Sequence, residues 1–447
     1  SVGGAQSFIR SLRAEADLYE VRRDEPLSIH ALATLAGNFA RGGPYFAINP
    51  IVGGVDEEGS HVYSVDPAGG VLEDDYTVTG SGTMVATGTI EGQYDPEMSL
   101  EEARDLAIRA VNAAAERDTG SGNGVVLAEI TEEGVESEDI IVPAFVNPHT
   151  HITDATAKDG ERARNFSWSE LFIDPGLKSE INESASREQK RAAMTRTLDF
   201  MQASGTGTFV DFKEEGVTGI EDLNMVDEDH PVDAVGLLTG PIDEDMDLRA
   251  EIEQADGYNT YFPYDETTER ARELCEEMGK VFALHSGEPS PDDIDASLAL
   301  NPDYTSHMVQ AREQDYSTLS NNDIGVVALP RSNLVILDEL PPLEQLHEAT
   351  TVALGTDNVM LNSASMLREM EFTSKLFDVT PTEVLQMATI NGARLSKRAD
   401  EIGSIEEGKR ARLTVVDTSK ELREVVDPVA GIVRRATARD VKRTVLA

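Results

Sequence analysis

The sequence predicts an α/β chain dominated by a (β/α)8 TIM-like barrel over residues 139–400, preceded by a smaller α+β domain over residues 1–138. Three observations predict it. After residue 138, apolar runs of strand length alternate with helical patterns, as parallel strands joined by crossover helices require. Before it, short strands are punctuated by Gly53-Gly54, Gly69-Gly70 and the stretch from Gly120 to Gly124, which are turn signals. No short internal repeat or low-complexity tract points to a different architecture.

In the first part, Ser99 to Arg117 carries apolar residues at helical spacing, with Glu101 and Glu102 in its first turn, and predicts a helix. Glu25–Asn38 is a second helical pattern. Ala47–Gly54, His61–Val65, Tyr76–Val78 and Val125–Ile130 read as strands. In the second part the strands are Val142–Thr150, Gly207–Lys213, Val232–Thr239, Gly257–Phe262, Val281–Ser286, Tyr304–Val309, Gly325–Pro330 and Thr351–Thr356. Arg187–Ala203, Thr267–Met278 and Pro342–Glu348 are helices between them. Such a barrel carries its active site at the C-terminal ends of the strands.

Composition narrows the function. The chain has 447 residues, with 83 acidic against 38 basic side chains and a net charge of −45. That excess repels nucleic acid and anionic membrane, so neither is expected as a partner. With 40% hydrophobic residues in regular patterns the acidity reads as a surface property, suited to a high-salt cytoplasm where salt screens self-repulsion. Cys275 is the only cysteine, so no internal disulfide forms and a reducing compartment is favoured. No apolar run has the length of a membrane span, and Ser1 to Leu12 lacks the charged start and apolar centre of a signal peptide. A soluble cytoplasmic protein is expected.

The chemistry lies at predicted strand ends. The first strand finishes in Pro143-Ala144-Phe145-Val146-Asn147-Pro148-His149-Thr150-His151. Residues two apart on a strand point the same way, so His149 and His151 project together, and imidazole suits zinc. Taken alone the pair reads equally well as two hydrogen-bonded core histidines. His285 and His307 fall at the ends of the fifth and sixth strands, and Asp357 ends the eighth. The other four histidines (His30, His61, His230, His347) lie away from these strand ends and read as ordinary polar residues. Glu288 follows His285 by three residues. A turn there would bring its carboxylate back over the site to carry protons, although an exposed loop acid is the plainer reading.

Taken with Pro330-Arg331-Ser332-Asn333, Gly355-Thr356-Asp357-Asn358, Met387 to Ala393 and Gly403 to Lys409, these pieces resemble the amidohydrolase superfamily, most nearly its deaminase and chlorohydrolase branch. The resemblance implies a divalent metal held by His149, His151, His285 and Asp357, zinc foremost, with iron or manganese as alternatives. It implies Glu288 as proton shuttle, His307 as a group that orients or deprotonates the water, and Asp357 as both ligand and base. Many members hold two metals bridged by a modified lysine on the fourth strand. Gly257–Phe262 contains no lysine, and Lys213 ends the second strand, so one metal is expected. The implied reaction is attack of activated water on an sp² carbon bearing a nitrogen leaving group, in a cyclic small molecule. Arg331 and Asn333 would contact that substrate, or form a surface turn. The family's β-sandwich appears at the C-terminus, in residues 401–447, while its portion ahead of the barrel looks missing.

Residues 1 to about 137 resemble the β subunit of the archaeal 20S proteasome, an α+β sandwich of the Ntn-hydrolase type. The matching text is Ser1 to Gln6, Asp66 to Gly70, Thr79 to Thr83, the helix from Ser99, and Arg117 to Gly122. Ser81, Asp118 and Ser121 correspond to residues that support the family's nucleophilic threonine. That threonine, with an acid and a lysine of the site, would precede Ser1, so this half is expected to be a truncated domain without peptidase activity. It would instead serve as an assembly or interaction module, toward proteasome subunits or a second copy. Two such parts in one chain read as a natural fusion or, more simply, as a deletion that joined two genes.

Overall fold

The computed structural model describes residues 2–23, 25–42, 48–118, 125, 127–131, 134–137, 139–158, 167–172, 176–228, 230–240, 247–261, 263–264, 266–419, 421–423 and 425–446. The chain forms two compact units, Ser1–Ile140 and Ile141–Ala447.

The first unit opens with helices α1 (Val2–Arg23) and α2 (Ile29–Gly42), followed by strands β1 (Ile51–Asp56), β2 (Gly59–Val65) and β3 (Val71–Glu73). The three strands form an antiparallel sheet. Phe8 of α1 and Ala33, Ala36 and Ala40 of α2 meet Val52, Tyr63 and Val65 of the sheet in one core. Helices α3 (Thr83–Glu91) and α4 (Leu100–Arg117) pair through Ala86, Ala110 and Ala114, and the hairpin β4 (Ala128–Thr131) and β5 (Gly134–Ser137) follows.

Several expectations shift here. The helix predicted over Glu25–Asn38 begins four residues later, where the Asp56 carboxylate accepts from the Ile29 N–H at 2.8 Å and supplies an N-terminal partner. Val125–Ile130 resolves into the shorter β4, and residue 47 of the predicted first strand lies outside the described residues. Tyr76–Val78 forms no strand; Tyr76 packs its ring on Tyr94 at 5.0 Å. Aromatic and β-branched residues fit a packed surface as readily as a ladder. α1, with Gly3-Gly4 in its first turn, and α3, with three threonines and a glycine, were not foreseen, because their text carries weak helical periodicity.

β6 (Ile140–Pro143) starts at the boundary, and in the second unit it precedes the barrel strands β7 (Phe145–His151) and, after α5 (Trp168–Phe172), α6 (Leu177–Ser184) and α7 (Arg187–Ala203), β8 (Thr206–Lys213). Then come α8 (Gly216–Asp227), β9 (Asp233–Thr239), α9 (Leu248–Gln254), β10 (Gly257–Thr260), α10 (Glu266–Met278), β11 (Val281–Ser286), α11 (Ile294–Ala299) and β12 (Tyr304–His307). The barrel ends with α12 (Glu313–Asn322), β13 (Gly325–Ala328), α13 (Pro330–Leu337), α14 (Leu343–Ala349), β14 (Val352–Leu354) and β15 (Asp357–Asn358). Neighbouring strands from β7 to β14 pair in parallel in sequence order, and β15 pairs back with β7. The eighth strand is therefore two short pieces, β14 beside β13 and β15 beside β7, and together they close the ring.

Period-two alternation sets the layers. Val210 and Phe212, Val235 and Leu237, and Val281 and Ala283 share one core with Tyr304, Val327 and Ala353. The intervening Leu238, Phe282 and Leu284 pack outward on Ile252, Ala271 and Leu274 of the helices. His285 continues the inward series from Val281 and Ala283.

Helices α15 (Met366–Leu376), α16 (Pro381–Met387) and α17 (Ile390–Leu395) are followed by β16 (Arg412–Val416), α18 (Pro428–Arg435) and β17 (Val441–Leu446). β6, β16 and β17 form a three-stranded sheet. One strand of that sheet thus comes from ahead of the barrel, which corrects the expectation that this portion is missing. The predicted strand Val142–Thr150 concealed it, because β6 runs into β7 with only Ala144 between. Pro330 to Asn333, expected as a turn, open α13 instead: proline at the first helical position needs no N–H partner.

Candidate metal centre

The barrel mouth gathers His149 and His151 from β7, His285 from β11, His307 from β12 and Asp357 from β15, all buried. Ligand-type atoms of His149, His151 and His285 lie within 4.8 Å of one another, as do those of His149, His307 and Asp357. Asp357 Oδ1 stands 3.4 Å from His149 Nε2 and 3.6 Å from His151 Nε2. Glu288 Oε1 is 3.5 Å from His307 Nδ1. Gly287 makes that return possible: its φ of +61° is one that glycine adopts freely, and a Cβ there would meet Ile294 Cδ1 at 2.8 Å.

Each imidazole is held from outside. His149 Nδ1 contacts Ser306 Oγ at 2.7 Å, and His285 Nδ1 contacts Asn259 Oδ1 at 3.1 Å. His151 Nδ1 lies 3.3 Å from Glu214 Oε1. The Ser332 hydroxyl donates to Asp357 Oδ2. These outer contacts turn the Nε2 atoms inward, and Nε2 of His149 and of His285 is buried without a hydrogen-bond partner. A buried polar nitrogen left unpaired is costly. A divalent ion removes that cost, and neutral imidazoles with one carboxylate match the donor set of a catalytic zinc.

The electrostatics agree. Burial carries the His149 imidazole down to about 3 and pushes His285 well below its ordinary value, so both are neutral, as ligands must be. Burial and Lys178 act against charge on His151, but Glu214 and Asp357 outweigh them and raise it. Burial would raise Asp357, yet the neighbouring His149, His307 and His151 hold it well below the carboxylate range. Burial pushes Glu288 up, toward the range useful for proton transfer.

Arg331 and Asn333 turn away from a substrate role. The Arg331 guanidinium pairs with the buried Glu369 and donates to the Ser363 carbonyl at 2.9 Å, and Asn333 contacts His307 Nδ1 at 2.9 Å. Neither is among the residues around the cavity at the mouth, which has a volume of about 670 Å³. Lys213 is fully buried, 2.6 Å from Asp211, and donates to Thr153 at 3.0 Å.

Sequence reasoning missed a second polar group beside His151. Lys178 Nζ donates to Glu214 Oε1 at 2.6 Å and lies 3.3 Å from Asp154 Oδ2, while the Tyr261 hydroxyl donates to Glu214 Oε1 at 2.8 Å. Glu214 had a signal, since it directly follows a barrel strand. Lys178 had none. In the first unit Ser81 Oγ donates to Asp118 Oδ2 at 2.5 Å, and Ser121 lies outside the described residues.

The closed parallel barrel and the histidines converging at its C-terminal rim define a metal-dependent hydrolase. Residues 140–447 match the model of the amidohydrolase family, and the chain belongs to that family. Solved structures agree on the fold. Zinc-bound adenosine deaminase from Xanthomonas campestris has a TM-score of 0.60 at 21% identity, over 69% of this chain and 79% of its own. Zinc-bound atrazine chlorohydrolase from Arthrobacter aurescens has a TM-score of 0.60 at 16% identity, over 69% and 83%. Guanine deaminase of E. coli has a TM-score of 0.56 at 20% identity, over 69% and 83%. Residues 1–130 match the proteasome subunit model. Over 136 residues the chain is 97% identical to proteasome subunit beta 2 of Haloarcula marismortui, covering 30% of this chain and 59% of that protein. It is 75% identical to the proteasome β subunit of Halorhabdus utahensis over 139 residues, 31% of this chain and 59% of the relative. The chain thus spans about three-fifths of the length of these relatives. Among the described residues no helix is long and apolar enough to cross a membrane.

Proposed function

We propose that the second unit hydrolyses a carbon–nitrogen bond in a cyclic, nitrogen-bearing small molecule, releasing ammonia or an amine, with one zinc ion held by His149, His151, His285 and Asp357. The observation that carries this reading is the pair of buried, unpartnered Nε2 atoms on His149 and His285, with the Asp357 carboxylate 3.4 Å from that of His149. When bound, the ion supplies the Lewis acidity that makes water a nucleophile near neutral pH.

The chain's own groups do the rest. Ser306, Asn259 and Glu214 fix the ring orientations of His149, His285 and His151. Ser332 occupies one oxygen of Asp357 and leaves Oδ1 toward the histidines. His307, whose Nδ1 accepts from the Asn333 amide, orients the attacking water, and Asp357 accepts its proton. Glu288, beside His307, delivers a proton to the departing nitrogen. Buried walls exclude bulk water and strengthen each of these interactions.

The test is elemental analysis of the purified chain joined to an ammonia-release assay over purines, pyrimidines, triazines and cyclic amides. About one zinc per chain, lost with activity in His149→Ala, is expected. A folded chain that takes up no metal from zinc, iron or manganese refutes the proposal.

Cys275, fully buried and free, fits a reducing cytoplasm. A second reading concerns the first unit: its 97% identity to a proteasome β subunit favours assembly with proteasome subunits. Co-expression with that β subunit, followed by size-exclusion chromatography, tests this; separate elution dismisses it.

A further inference from the structure

The cavity has two unlike sides. β7, β11, β12 and β15 carry the converging histidines and Asp357. The other side comes from three adjacent strands: Glu214 follows β8, Thr239 ends β9 and Tyr261 follows β10. Among the described residues every polar contact of Glu214, from Lys178, Tyr261 and His151, falls on Oε1. Among the described residues Oε2 has no partner, and the side chain is 32% exposed at the cavity. Thr239, only 5% exposed, also lines the cavity, and its hydroxyl is buried without a partner. Two acceptors held in place with nothing to accept from are a recognition surface.

The rest of the lining has the same sense. Glu288, Asp292, Asp293 and Asp357 join Glu214 there. Lys178 is the one lysine or arginine among the described lining residues, and its ammonium is already given to Asp154 and Glu214. Trp168, Phe172, Tyr261 and Tyr264 add flat faces on which a ring can stack.

We infer that Glu214 and Thr239 are specificity-determining residues that anchor the far edge of the substrate, selecting a planar heteroaromatic ring that presents N–H donors or a positive charge and rejecting an anionic ring. The inference rests on the hydrolase reading for the placement of the reacting carbon at the histidine side. Recognition itself follows from the wall: a charged acceptor left unpaired by the wrong ring is the stronger source of discrimination.

The test uses the full-length chain, with and without added zinc, in equilibrium dialysis against four probes. Cytosine and melamine present N–H donors; orotate and cyanurate are acidic rings of similar size. The donor rings are expected to bind at least about tenfold tighter than the acidic ones. Glu214→Gln, read in the zinc-free dialysis because Glu214 also orients His151, should shrink that ratio about tenfold or more, and in a turnover assay normalised to zinc content should raise KM more than it lowers kcat. Thr239→Val, at a hydroxyl that bonds no histidine of the centre, should weaken the donor rings severalfold and decides the matter if Glu214→Gln misfolds or loses zinc. Equal binding of both ring classes, an unchanged ratio in the variants, or no binding of any probe overturns the inference. A chain that holds no zinc refutes the hydrolase reading instead, while the zinc-free dialysis still decides the anchor.

Discussion

Ser306→Ala is the most informative single change. Ser306 Oγ lies 2.7 Å from His149 Nδ1, and both residues are fully buried. With His149 offering Nε2 to a metal, its Nδ1–H must find an acceptor, and the serine hydroxyl is that acceptor. Alanine fits the space but leaves the N–H unpaired in a dry interior, at a cost of about 1–3 kcal/mol. Each 1.4 kcal/mol is a factor of ten, so zinc affinity should fall roughly 10- to 100-fold, the range expected for loss of an outer partner of a metal ligand. The assay is zinc occupancy against a graded chelator, read beside the thermal midpoint. Thr305→Ala is the control: its hydroxyl donates to the Leu284 carbonyl at 3.3 Å, away from the centre. Unchanged zinc affinity in folded Ser306→Ala, or an equal loss in Thr305→Ala, refutes the argument that the serine orients a ligand.

Four further outcomes are expected. Arg331→Ala leaves Glu369 buried and uncompensated, which should lower stability by about 3–5 kcal/mol in urea titration while KM stays unchanged in whatever folded protein remains. Gly287→Ala forces a side chain into φ +61° against Ile294, costing about 1–2 kcal/mol, and should lower kcat by displacing Glu288 while zinc is retained. Asp227 is raised to about 6 because burial outweighs its hydrogen bond from Ala234 and the nearby Asp233 and Asp256 add repulsion. Its stabilisation of the fold is therefore complete below about 3.8 and lost as pH rises through about 6, so Asp227→Asn should gain roughly 1 kcal/mol at pH 8, after allowance for partial exposure, and nothing at pH 3. Cys275 is pushed up to about 12 by burial, so the native chain should resist thiol reagents at pH 8 and react fully once unfolded.

The convergence of His149, His151, His285 and Asp357 was legible because strand period and strand order are sequence properties. A residue at the end of a barrel strand is at the mouth whatever the loops do. Lys178, Asp154 and Glu214 were not legible as a group: they meet only through the fold of the segment between β7 and α7, which no periodicity fixes. Ser306 and Asn259 stood in plain view as strand residues, yet nothing in a strand pattern says which polar side chain faces a histidine. β6 was hidden by its continuity with β7. In the first unit α4 was readable from its helical spacing and its first-turn Glu101 and Glu102, and the structure adds a capping box in which Ser99 accepts from Glu102 N and the Glu102 side chain reaches back. α1 lacks any such signal.

The seam where the barrel closes explains why fold and centre are hard to separate. Asp357 adopts φ +61°, a strained conformation for a non-glycine residue. That backbone step carries the chain from β14, beside β13, to β15, where Asp357 pairs with Thr150 of β7. The same step sets its carboxylate 3.4 Å from His149 Nε2. Asn147 and Thr356 lock the seam through two hydrogen bonds, at 2.8 and 3.2 Å, and a Cβ at Gly355 would meet that of His149 at 2.8 Å. His307 and Met308, at φ +75° and +49°, repeat the device at the end of β12. Strain of about 1–3 kcal/mol per residue persists only where surrounding packing over-determines it. Here the packing is the closed ring itself, so the carboxylate reaches the histidines because the barrel closes, and it closes at the residue that reaches them.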